Sequence, residues 1–177
     1  MNTFTKTSVA TLALLSATVT PALAGSNYLD HLGLRGSIRS TGIELKFNPA
    51  SCDKSTAMGW YWAARNEMVI CQENRRRGFG FQHEVTWTEE DLDTLRHEAQ
   101  HLIQDCMDGS RQGALGAVYK DPIGLAQNVL GDRAIRSILQ SYSDSSDHIK
   151  VMELEAFSVA RLNKPQEQSN DIRKFCF

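Results

Sequence analysis

Residues 96–106 read Arg-His-Glu-Ala-Gln-His-Leu-Ile-Gln-Asp-Cys, placing His97 and His101 four positions apart with Glu98 beside the first. On an α-helix, positions i and i+4 share one face. Two imidazoles so placed can meet one zinc ion, whose bonds to nitrogen are roughly 2.0–2.1 Å long. Glu98 sits beside that ligand direction, where a carboxylate can take a proton from water activated by the ion. The chemistry on offer is metal-assisted hydrolysis.

The simpler alternative is an amphipathic helix that happens to carry two surface histidines. Three features argue against it. Thr88 is a suitable N-cap, followed by Glu89, Glu90 and Asp91, the acidic first turn that a helix dipole favours, and Gly109 is a natural stop. Leu92, Leu95, Ala99, Leu102 and Cys106 form one apolar stripe, almost opposite His97 and His101. The core face is therefore filled without the histidines. A third ligand is also available downstream, where Glu153 and Glu155 lie in the helical segment His148–Leu162.

His97-Glu98-Ala99-Gln100-His101 followed by Glu153-Leu154-Glu155-Ala156 resembles the gluzincins, zinc peptidases whose H-E-x-x-H helix is completed by a glutamate on a later helix. The resemblance covers those two helices. It implies His97, His101 and Glu153 as zinc ligands, Glu98 as general base, and a zincin-like fold. Glu153 lies 52 positions after His101, room for two intervening helices. The family carries an acid or amide four positions after the ligand glutamate, to support a ligand histidine; this chain has Phe157, so another group must serve. The reverse assignment, with Glu155 as ligand and Glu153 as its support, remains open at this level. No third histidine follows at the short spacing of the metzincins.

The chain has 177 residues and a net charge of −2. Lys6, a short run of small and apolar residues and Ala22-Leu23-Ala24 read as a signal peptide over residues 1–24, leaving one domain at 25–177. Loss of Lys6 takes the net charge to −3, which argues against a nucleic-acid partner. Arg75-Arg76-Arg77, the only basic run, reads as a solvated loop. The apolar run near the N-terminus is too short to span a bilayer, so no stable membrane insertion is expected after cleavage. The four cysteines favour disulfides in an exported chain. We expect Cys52–Cys71 and Cys106–Cys176. Cys106 projects about 140° from His101 around the helix, so it cannot join that histidine on a metal.

Around the central helix the pattern is α+β: a small N-terminal sheet, then mostly helices. Tyr28–Gly36 reads as a short helix ending at Gly33 or Gly36, and residues 37–49 as a strand. Trp60–Ala64 and Glu67–Gln72 read as two further strands joined by a turn at Arg65-Asn66. Residues 110–122 read as a loop, 123–130 and 132–142 as helices separated by Gly131, and the C-terminal tail as polar chain held by Cys176. Trp60, Tyr61 and Trp62 read as core and strand surface, His83 as structural or exposed, and Asp105 and Asp108 as solvated or orienting the helix. Tyr142 and His148 are candidate donors to a developing negative charge.

The expected function is a secreted or periplasmic zinc peptidase acting on a peptide or protein substrate, with Glu98 moving the proton. By resemblance, an edge strand near Met68–Cys71 aligns the substrate. Two rivals are a zinc-bearing binding or structural module without catalysis, and a zinc hydrolase of non-peptide amides such as cell-wall linkages.

Overall fold

The Thr88 hydroxyl accepts the Asp91 amide while the Asp91 carboxylate accepts the Thr88 amide, a reciprocal cap that starts α2 (Glu89–Cys106). In the computed structural model, which describes residues 28–75, 83–107 and 109–177, this helix is the centre of the molecule. The expected leader, Arg76, Arg77 and Asp108 lie outside the described residues. The fold is α+β, with a three-stranded sheet and six helices among the described residues.

α1 (Tyr28–Ser40) runs straight through Gly33 and Gly36, contrary to the expected stop. Leu34 and Ile38, four apart and fully buried, continue its apolar face and offset the roughly 1 kcal/mol that each internal glycine costs. The chain turns instead at Gly42, whose φ of 86° suits a residue without Cβ. The expected strand therefore shrinks to β1 (Glu44–Phe47), because residues 37–40 belong to the helix.

β2 (Gly59–Trp62) and β3 (Glu67–Ile70) flank a tight turn in which Asn66 adopts the left-handed conformation. The order is β1-β3-β2, with β1 parallel and β2 antiparallel to β3. β3 is therefore the central strand. Met68–Cys71, expected as an edge, is fully buried, and the edges are β1 and β2. Alternation along β3 divides the sheet faces. Met68 and Ile70 pack toward Leu95, Ala99, Leu102 and Ile103 of α2, while Val69 joins Trp60 and the Cys52–Cys71 disulfide on the other side. Arg75 caps this region by donating to the carbonyls of Cys71, Gln72 and Cys52, so it is anchored rather than solvated.

α3 (Pro122–Val129) and α4 (Gly131–Ser141) lead to α5 (Asp147–Leu162), which packs on α2. The polar tail is a further helix, α6 (Pro165–Phe175), missed because its apolar signal is so sparse. Pro165 opens it in the first turn, Ile172 is fully buried against α1 and α2, and Gln168 donates to the Arg96 carbonyl. The Cys106–Cys176 disulfide then fastens its end to α2 and closes a loop of 70 residues. No helix among the described residues is long and apolar enough to cross a membrane.

A cross-link over so long a loop removes about 4 kcal/mol of chain entropy from the unfolded state. The double variant Cys106→Ala/Cys176→Ala should lose roughly 2–4 kcal/mol of unfolding free energy in a urea titration. An unchanged midpoint would show that packing of Ile172 alone holds α6 in place.

Candidate metal centre

Every residue of α2 from His97 to Cys106 is buried, so the polar ones among them need partners inside the protein. α5 supplies many of them. Glu153 reaches His97 and His101, and these three form the group of His, Cys, Asp and Glu side chains whose ligand atoms converge among the described residues. His97 Nε2 and His101 Nε2 lie 3.1 Å apart. Glu153 Oε2 lies 3.3 Å from the first and 3.5 Å from the second.

That triangle has a specific size. Ligand atoms bound 2.0–2.1 Å from a tetrahedral ion such as zinc are about 3.3 Å from each other. Glu153 Oε2 is buried and completes no hydrogen bond among the described residues, as expected of an atom whose partner is an ion. Two imidazoles and a carboxylate suit a divalent first-row metal. The group can hold a metal ion, and the residues fit one.

The electrostatics agree. Burial alone would raise the Glu153 carboxyl, but His101 and His97 hold it well below the usual carboxylate range. Burial alone would lower His101, yet the Glu153 carboxylate raises it to about 9. Without metal, a proton on His101 thus balances Glu153.

Glu155 does not join the group. Its carboxylate accepts from Gln100 Nε2, Gln104 Nε2 and the backbone amides of Val118 and Tyr119. Glu153 therefore faces the histidines and Glu155 the glutamines. The support missing at position 157 comes for His101 from Gln104, whose side-chain oxygen lies 2.9 Å from Nδ1. Phe157 instead sets its ring, tilted, 4.3 Å from that of His97, whose buried Nδ1 has no hydrogen-bond partner among the described residues.

Glu98 lies beside the triangle, close to the β2 backbone. Burial raises its carboxyl, only partly offset by the two histidines, which favours proton uptake nearer neutral pH. The approach of β2 requires Gly59. A Cβ there would lie 2.7 Å from Thr94 Cγ2, 2.9 Å from the Val69 carbonyl oxygen and 3.2 Å from Glu98 Cγ. Gly59 and Gln104 escaped the sequence reading. An isolated glycine opening a strand was a weak hint of close backbone approach, and a glutamine three positions after a ligand histidine was the signal for the other.

The remaining candidates divide. Tyr142, at the end of α4, is buried near Glu153; burial and that carboxylate push its phenol well above the usual range, so it stays protonated. His148 sits at the exposed start of α5 with Nε2 2.7 Å from the Leu115 carbonyl oxygen, pinning a loop. Asp105 is fully buried rather than solvated, accepting from Tyr61 Oη and the Gly113 amide. Trp60 packs against the disulfide, Trp62 is exposed under the Arg65 guanidinium, and His83 is exposed.

A metal on His101 Nε2 needs the neutral imidazole, so binding below about pH 9 must displace a proton. Apparent metal affinity should rise with pH and level off above about 9. Calorimetric titration with zinc at neutral pH, in buffers of different ionisation enthalpy, should register about one proton released per ion. Release of none would contradict the His101–Glu153 proton balance.

No curated protein and no solved structure matched the chain. Residues 33–177, which carry all of the side chains described at this centre, match the family "Domain of unknown function (DUF8637)", and the chain belongs to that family.

Proposed function

We propose that this chain is an exported zinc-dependent peptidase of the gluzincin kind. The observation that carries the reading is the triangle of His97 Nε2, His101 Nε2 and Glu153 Oε2, 3.1–3.5 Å on a side, with a buried carboxylate next to it. Those three atoms would hold the ion. Zinc bound there polarises a carbonyl and lowers the pKa of water to near 7.

The protein's own groups do the rest. Glu98 accepts a proton at its carboxylate and returns it to the leaving nitrogen, a task its raised pKa suits. β2 lies against Glu98 at Gly59, and Tyr142 is buried near Glu153. An extended peptide adds to the free edge of β2, the edge strand nearest Glu98, rather than along β3. The two disulfides suit an oxidising compartment, in keeping with the expected signal peptide.

Metal content and hydrolysis of a peptide library, with and without chelator, test this on the wild type and on Glu98→Gln. The wild type should hold one zinc per chain and lose activity with chelator. Glu98→Gln should keep the zinc and lose turnover by roughly 10²–10⁴-fold. Normal hydrolysis by that variant would refute the base assignment. A wild type with no stoichiometric zinc after metal-replete purification would sink the whole reading. Bound zinc without any peptide cleavage would favour a non-catalytic module or a hydrolase of other amides.

A further inference from the structure

The two histidines of the triangle are not held alike, and the difference lies in a buried amide. Gln104 Nε2 donates to the Met152 carbonyl at 3.0 Å and to Glu155 Oε1 at 3.1 Å. A carbonyl and a carboxylate can only accept, so the amide cannot be reversed without two acceptors opposing its oxygen. Gln104 Oε1 must therefore face His101 Nδ1, 2.9 Å away. An oxygen that only accepts requires a hydrogen on Nδ1.

We propose that Gln104 is a positioning residue that locks His101 in its Nδ1–H tautomer, turning the Nε2 lone pair toward His97 and Glu153, with Glu155 as the anchor of the lock. The assignment rests on the reading of this group as a metal centre. Glu155 suits the role because it is fully buried and saturated with donors. It accepts from Gln100, from Gln104 and from the amides of Val118 and Tyr119, and so ties the loop before α3 to the back of the ligand. Met152, the other anchor, is on the turn of α5 that carries Glu153. One amide thus couples the aim of His101 to the seating of the helix that brings the third ligand. His97 has no such device: its buried Nδ1, beside Phe157, has no hydrogen-bond partner among the described residues. Where His101 is neutral in the metal-free protein, the His97 Nε2–H can donate to the lone pair on His101 Nε2, 3.1 Å away, which gives the two rings opposite tautomers.

Long-range ¹H–¹⁵N correlation spectra of the imidazoles, recorded on the metal-free protein at alkaline pH, read this directly. The wild type should show neutral His101 as the Nδ1–H form, and Gln104→Met should show that preference lost. A role confined to packing would leave the tautomer unchanged. Zinc affinity, measured by competition with a chromophoric chelator, should fall roughly 10–100-fold in Gln104→Met. A wild-type spectrum with His101 as Nε2–H overturns the lock whether or not the variant folds, and so does an unaltered zinc affinity in a folded Gln104→Met. Absence of zinc binding by the wild type overturns the functional reading instead, and the metal-free spectrum still decides the lock.

Discussion

From His97 to Cys106, α2 is shielded from water on every side, and that burial dictates what surrounds it. A polar side chain in such a place costs on the order of 1–3 kcal/mol if it is left without a partner. The sheet covers the apolar stripe with Leu45, Met68 and Ile70. The polar side is covered by carboxylates, carbonyls and amides from α5, β2 and the loop before α3. The pairing is almost complete. Around the histidines, two buried atoms lack a hydrogen-bond partner among the described residues, Glu153 Oε2 and His97 Nδ1, and both lie in or next to one small triangle.

The way α5 meets α2 makes the triangle possible. Met152, Ala156 and Val159 share the stripe of α5 that faces inward, and all are buried. Ala156 is small enough to let the two helices approach. Glu153 and Glu155, 200° apart around α5, then fall on opposite flanks of that contact and reach α2 from either side. One flank holds the histidines and the other holds Gln100 and Gln104. Two glutamates two positions apart thereby acquire different tasks: one closes the triangle, the other fixes the orientation of what closes it.

β2 adds the third side. Its glycine allows the strand to lie against Thr94 and Glu98. Tyr61 donates its hydroxyl to Asp105 two turns along α2, so the strand grips the helix at two points. A larger residue at position 59 would push the strand away from Glu98 and weaken both contacts. β2 and the side of α2 that carries Glu98 lie together because of that single missing side chain.

The sequence by itself determined α2, its cap and the direction its histidines take, because these depend on local hydrogen bonds and on helical periodicity. It favoured both disulfides that the structure shows, because Cys106 lies on the apolar stripe away from His101, but three pairings of four cysteines were open to it. It did not determine α6, whose short polar run is helical because Ile172 is buried and Cys176 is tethered, both contacts with distant chain. Nor did it order the strands, since a parallel pairing of β1 with β3 depends on how the chain crosses between them. The choice between Glu153 and Glu155 was also tertiary. Both fit one motif in the sequence, and only the rotation of α5 on α2 decides which carboxylate meets the imidazoles.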